Sequence, residues 1–270
     1  MKKIISIFVS VITLSFSTAI AQDMQKGMDA YKSGDFATAI TELKPLAIEG
    51  NLFFQGLIGT LYYEGNGVEK SYNEAANWFK LSAKQGLDYT QFALGLMYYE
   101  GYGVDKDYTK AVKWFKLAAE QDYVKAQNYL GVMYRKGIGV PQDYTEAIKW
   151  LEKAAISGNV HAIYNLGGIY IGHEGLEKDY AKAFKWVKLA AEKGLVAAQR
   201  DLAALYANGF GTPQNNVLSH MWYNIASANG DDEAGKYRSR RAKLMTPSEI
   251  LKAQTMAREC IDSNYKICGP

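Results

Sequence analysis

Few residues in this 270-residue chain have the type and spacing for covalent chemistry. Ser263-Asn264-Tyr265-Lys266 has the S-x-x-K spacing of serine acyl-transferases such as penicillin-binding proteins. That chemistry needs the serine at the start of a buried helix, with the lysine one turn on and a K-T-G elsewhere. Here the serine falls between Cys260 and Cys268, and the chain contains no K-T-G. His161, His173 and His220 share no spacing, so each is expected at the surface or in a turn rather than as a ligand or base. Gly65/Gly67, Gly101/Gly103 and Gly137/Gly139 have the G-x-G form of a phosphate cradle but follow no strand-like segment, which makes that reading weak. Asp105 and Asp107 suggest a calcium loop, yet the matching positions 36 residues away, Glu69/Ser71 and Pro141/Asp143, do not keep the acidic pattern. No catalytic residue, cofactor or metal is expected from this set.

The two ends carry their own signals. Met1-Lys2-Lys3, the apolar run Ile4 to Ile20 and the A-x-A of Ala19-Ile20-Ala21 predict a signal peptide over 1–21. No cysteine stands directly after the cleavage site, so the chain is expected to be exported without a lipid anchor or membrane span, to the periplasm or beyond, with Gln22 at its start. Taking Lys2 and Lys3 from the 31 basic residues leaves 29 against 28 acidic ones, a balance that does not favour nucleic acid. Cys260 and Cys268 are the only cysteines, and an even number in an exported chain predicts a disulfide. A continuous helix would hold their Cα atoms ~12 Å apart, beyond the ~7 Å limit for bridging. The helix carrying Cys260 must therefore end near it, where Ile261-Asp262-Ser263-Asn264 supplies turn residues.

What positions all of these residues is a repeat. Segments beginning at Asn51, Leu87, Tyr123, Asn159 and Leu195 align by a 36-residue translation, giving copies 51–86, 87–122, 123–158, 159–194 and 195–230. A period in this range marks a solenoid, in which each unit buries its apolar face against its neighbours. Residues 22–50 read as a shorter capping helix pair with a Ser33-Gly34-Asp35 turn, and 231–270 as capping helices closed by the disulfide. Within the latter, Lys236, Arg238, Arg240, Arg241 and Lys243 form a basic cluster expected to be a solvated face, since Asp231, Asp232 and Glu233 precede it.

Each copy divides into two helices. The eighth position is Ile58, Leu94, Leu130, Leu166 and Leu202, and the eleventh Leu61, Met97, Met133, Ile169 and Leu205; with Ala126, Ala162 and Ala198 at the fourth, they make an amphipathic stripe. Glycine at the ninth position, Gly59, Gly95, Gly131 and Gly167, costs ~1 kcal/mol in a helix, so a neighbouring helix should pass close by. The second helix opens on Ser71, Asp107, Asp143, Asp179 and Asn215, all good N-caps, with capping-box spacing to Glu74 and Glu146. Trp78, Trp114, Trp150, Trp186 and Trp222 then form an aromatic stripe expected to be the core seam.

The assembled pattern A-x-x-x-LG-x-MY-x-x-G-x-GV-x-x-D-Y-x-K-A-x-x-W-x-x-x-AA resembles the Sel1-like repeats, relatives of the tetratricopeptide repeats. The resemblance implies an all-α, right-handed α-α superhelix whose inner surface is lined by the first helix of each pair, and a role in protein interaction. Repeat four departs from the pattern at Gly172-His173-Glu174-Gly175, and repeat five at Thr212-Pro213 and Ser219. Some cysteine-rich relatives have had β-lactam binding attributed to them, but this chain lacks cysteine pairs within its repeats.

If positions four, eight and eleven face the core, 100° per residue puts positions six, ten and thirteen opposite. That face reads Tyr63, then Phe92, Leu96 and Tyr99, then Asn128, Val132 and Arg135, then Tyr164 and Ile171, then Arg200. The expectation is a monomeric, non-enzymatic exported scaffold that takes a protein or peptide in a concave groove along these residues. The competing expectations are an envelope β-lactam-binding protein or hydrolase using Ser263, and a secreted host-interaction factor.

Overall fold

The computed structural model describes residues 21–172 and 177–268. Most of the expected signal segment at 1–21, and the irregular turn of repeat four at 173–176 with His173, lie outside the described residues. The chain forms two compact units, 1–126 with 138–140 and 127–137 with 141–270. The described part of the first holds α1 (21–33), α2 (Phe36–Ile48), α3 (Leu52–Glu64), α4 (Tyr72–Lys84), α5 (Asp88–Glu100) and α6 (Tyr108–Glu120). α7 (Val124–Lys136) belongs to the second unit from Gln127 onward. There follow α8 (Tyr144–Ile156), α9 (Val160–Ile171), α10 (Tyr180–Glu192), α11 (Val196–Asn208), α12 (Asn216–Ala228), α13 (Asp232–Ala242) and α14 (Pro247–Asp262). Among the described residues all regular structure is helical, and each unit is a stack of helix pairs, the all-α solenoid architecture expected.

Local chemistry fixes the helix ends. First helices start at Leu52, Asp88, Val124, Val160 and Val196, each 36 residues after the last. Ser71 Oγ accepts from Glu74 N at 3.2 Å, and Asp107 and Asp179 accept from Lys110 N and Lys182 N at 2.9 Å. Each N-cap residue also donates its own N–H to the preceding tyrosine carbonyl, as in Asp107 N to Tyr98 O and Asp143 N to Tyr134 O. The connecting turn is thereby closed from both sides. The Glu146 carboxylate does not complete the expected capping box with Asp143. It accepts instead from Trp150 Nε1 at 3.0 Å and Lys149 Nζ at 2.8 Å.

The core departs from expectation in one respect. Positions eight and eleven are buried throughout, but of the tryptophans only Trp78, Trp150 and Trp222 are buried. Trp114 and Trp186 are half-buried. The seam is held by the residue one step later: Phe79, Phe115, Leu151, Val187 and Tyr223 are all at most 5% exposed. The recurring glycine explains this choice. A Cβ on Gly95 would lie 2.7 Å from the Phe115 ring, and one on Gly131 2.6 Å from Leu151 Cγ, so a side chain there would overlap the second helix. Glycine in the first helix admits a large side chain from the second, and dispersion over that contact offsets the propensity cost.

A buried glutamine ladder joins successive repeats. Gln55 Nε2 donates to Ala47 O at 3.0 Å and Gln91 Nε2 to Ala83 O at 3.2 Å, each satisfying a carbonyl near the end of the preceding second helix. Their Oε1 atoms accept from Gln85 Nε2 at 2.7 Å and Gln121 Nε2 at 2.8 Å. In the second unit Asn229 Nδ2 donates to Gln199 Oε1 at 2.9 Å and to the Tyr265 hydroxyl at 2.8 Å. Tyr265 stands in the loop after α14, so that loop caps the ladder at Asn229. Cys260, fully buried, is bonded to Cys268 across a Cα separation of 4.5 Å, and α14 ends two residues beyond it at Asp262.

Candidate functional site

The open side of the first helices is the part of the molecule that stacking leaves over. In the first unit, Tyr63, Leu96 and Tyr99 are half-buried along it. Tyr63 is tilted against Tyr72 with ring centroids 5.1 Å apart, and Tyr99 meets Tyr108 edge-on at 5.2 Å. Phe92 does not belong to this face. It is only 7% exposed and packs against Phe115 at 5.6 Å and Tyr123 at 5.0 Å, so it is a core residue.

The reason is geometric. A first helix contacts its own second helix through positions eight, nine and eleven and its neighbours through positions five and six, so its buried stripe is wide and off-centre. The open face is rotated toward positions three, seven and ten. In the first unit those positions supply Phe53, Leu57, Thr60 and Tyr89, which with Phe54 and with Met28 and Tyr31 of α1 line a cavity of about 430 Å³. Phe53 is 64% exposed at its mouth. The Tyr89 hydroxyl donates to Gly56 O at 2.7 Å and shares a short hydrogen bond with Thr60 Oγ1; burial pushes its pKa up to about 12. The lining is apolar except at the Thr60–Tyr89 pair and the Tyr31 hydroxyl.

In the second unit the same face is polar. Asn165 Nδ2 donates to Asn128 Oδ1 at 3.2 Å, and the Tyr164 hydroxyl donates to Asp201 Oδ2 at 2.7 Å. Burial and that carboxylate together raise the Tyr164 pKa. Arg200 Nη1 donates to Asp231 Oδ2 at 2.9 Å. Val132, Arg135 and Ile171 are half-buried, and burial pulls the Arg135 pKa down. Asp201, at position seven, and Asp231, in the segment after the last repeat, lie on this face outside the six, ten and thirteen pattern that the sequence suggests.

The residues considered for catalysis are placed otherwise. Ser263 Oγ donates to Cys260 O at 2.9 Å and accepts from Ile267 N at 3.0 Å, bracing the turn after α14. Asp107 is an N-cap whose carboxylate is held below its usual range by the Lys110 N–H and ammonium. His161 is exposed as expected, but His220 is 3% exposed within α12, at a position where the other copies carry Ala76, Val112, Ile148 and Phe184, all buried or half-buried. Arg238 and Arg241 of the basic cluster are hydrogen-bonded to Asn224 at 2.6 Å and Asn216 at 3.1 Å, while Lys236, Arg240 and Lys243 are exposed. Among the described residues no three histidine, cysteine or acidic side chains converge as a metal cluster, and no helix is long and apolar enough to cross a membrane.

Comparison with known proteins bears on the repeats. The family described as Sel1 repeat matches at residues 55–87, 89–123, 124–159, 160–195 and 196–231. A Sel1 repeat protein of Oxalobacter formigenes has a similar crystal structure, with 35% identity and a TM-score of 0.75 over 87% of this chain and 98% of that one. The protective antigen c5321 of uropathogenic Escherichia coli, which displays the same repeat fold, is 27% identical over 92% of this chain and 69% of its own, with a TM-score of 0.38. A putative Sel1 repeat protein of Klebsiella pneumoniae is 20% identical over 74% and 98%, with a TM-score of 0.47. No curated protein sequence matches.

Proposed function

The chain belongs to the Sel1 repeat family, whose members are in general protein-interaction scaffolds, and we propose that it is an exported, non-enzymatic one that holds a segment of a partner protein on its first-helix face. The observation that carries this reading is the cavity of about 430 Å³ between α1, α3 and α5, where Phe53, 64% exposed, stands at the mouth beside Leu57 and the Thr60–Tyr89 pair. An apolar hollow with a few polar groups is the form in which an aromatic or aliphatic anchor is buried and oriented. Export is supported by the signal-like sequence at 1–21 and by the Cys260–Cys268 disulfide, a bond that persists in oxidising compartments. The protein acts as a monomer in this reading and does not engage nucleic acid, in keeping with its near-neutral balance of charge.

The test is a cross-linked pull-down from the native cell envelope with the wild type and Phe53→Asp. A charge at an exposed position leaves the fold intact, but opposes insertion of an apolar anchor. Capture should fall by about tenfold, the effect of losing one well-placed anchor; capture undiminished by Phe53→Asp would remove the first-unit face from the mechanism.

A further inference from the structure

Two arginines on the first-helix face of the second unit are in different states. Arg200 is neutralised internally, 2.9 Å from Asp231 Oδ2 and 3.8 Å from Asp201 Oδ1. Arg135, in the last turn of α7, is half-buried and has no carboxylate partner among the described residues. Its guanidinium lies against α9 where position ten is Gly168, with Nη1 only 3.4 Å from the place a Cβ would occupy. Any larger residue there would cover the guanidinium. Around it stand the phenols of Tyr144 and Tyr164.

A cation taken partly out of water without a counter-charge is unfavourable by itself, and attracts an anion more strongly than an exposed one does. The planar fork of arginine matches a carboxylate with two parallel hydrogen bonds. Two turns earlier on α7, Asn128 uses its Oδ1 to accept from Asn165, which leaves its own N–H groups to donate to a peptide carbonyl.

We propose that the first-helix face of the second unit is a seat for a carboxylate-bearing peptide, with Arg135 gripping the carboxylate and Asn128 the backbone that leads to it. The inference rests on the reading of the first-helix face as a partner-binding surface and names the chemistry of what binds there. The carboxylate comes from an acidic side chain or from a chain terminus, and the two are separable by experiment.

The full exported chain would be titrated, by fluorescence anisotropy in low salt, with three labelled ten-residue peptides. One carries internal glutamates and an amidated terminus, one has glutamines with a free terminal carboxylate, and one has glutamines and an amidated terminus. At least one carboxylate peptide should bind about fivefold or more tighter than the neutral one, with the advantage shrinking as salt screens it. Arg135→Gln should abolish the preference, Arg135→Lys retain part of it, and Lys136→Gln, at an exposed neighbour, change it less than about twofold. Circular dichroism melts of each variant report folding separately. Equal binding of all three peptides, unaltered by Arg135→Gln, would overturn the carboxylate seat while leaving peptide binding in place. Failure of every peptide to bind the wild type would overturn the seat whatever the Phe53→Asp pull-down gives.

Discussion

The two sides of α5 obey different rules although they share thirteen residues. One side carries Gln91, Leu94, Gly95 and Met97, each buried against a specific atom set on α4 or α6, and each has counterparts at the same position in other copies. The other carries Tyr89, Leu96 and Tyr99, and what stands at those positions changes from copy to copy: Phe53, Thr60 and Tyr63 before, Lys125, Val132 and Arg135 after. In a repeat protein, stability is a sum over interfaces between neighbours, so residues in those interfaces are fixed by geometry. The open side also makes contacts, Tyr89 with Gly56 and Thr60 and Tyr99 with Tyr108, but they are particular to this copy and no stacking rule repeats them. A substitution on the first side should cost mainly stability, and one at Leu96 on the second mainly binding.

Gly95→Val puts that comparison under the greatest strain. The branched side chain would be driven into the Phe115 ring, with its first atom already 2.7 Å away. Overpacking of this kind costs about 2–3 kcal/mol, which lowers the melting point by roughly 5–10 °C. A melt within 2 °C of the wild type would show that the first helix is not pinned at this glycine. Gln91→Leu tests the polar half of the same side. It removes one partner each from Ala83 O, which keeps the Gly86 N–H at 3.1 Å, and from Gln121 Nε2, so the loss is that of two ordinary hydrogen bonds, about 1–3 kcal/mol together. If leucine were neutral or stabilising there, the glutamine ladder would be dispensable.

How far the sequence foretold this division follows from the same physics. The helices, their caps and the glycine column were legible because they recur at 36 residues, and only stacking demands recurrence. A buried glutamine also recurs at position five, as Gln55, Gln91, Gln127 and Gln199, but a polar residue reads as surface until its partners are seen. Phe92 was misplaced because helical periodicity gives the angle between side chains and not the width of the buried arc, which here extends to position six. Position six of the other copies holds Gly56, Asn128, Tyr164 and Arg200, so no pattern across repeats marks it as core.

His220 offers a smaller effect that depends on pH. Its imidazole is 3% exposed, Nδ1 has no hydrogen-bond partner, and burial, reinforced by the Arg238 charge, lowers its pKa in the folded state. A lowered histidine pKa means that the unfolded chain binds the proton more readily. The stabilisation is therefore fully present above the unfolded value of about 6.5 and is lost as pH falls through that value toward the depressed folded one. Between pH 7.5 and 5.5 the melting point should drop by about 2–4 °C, the shift expected for roughly 1 kcal/mol in a chain of this size, more than in His220→Phe. Equal drops in both proteins would assign the pH dependence to other groups.

The smallest effect on stability should come from the open side. Leu96→Ser removes a half-buried side chain from position ten of the second copy, on the open side of α5. Its cost should be about 0.5 kcal/mol, as for substitutions outside the core, and the melting curve should nearly superimpose on that of the wild type. Partner capture, by contrast, should fall with this variant as it does with Phe53→Asp, because both change the face that no neighbouring repeat covers. A variant that melts early but still captures the partner would place Leu96 with Gly95 and Met97 in the stack, and would narrow the first unit's open face to the cavity lined by Phe53, Leu57, Thr60 and Tyr89.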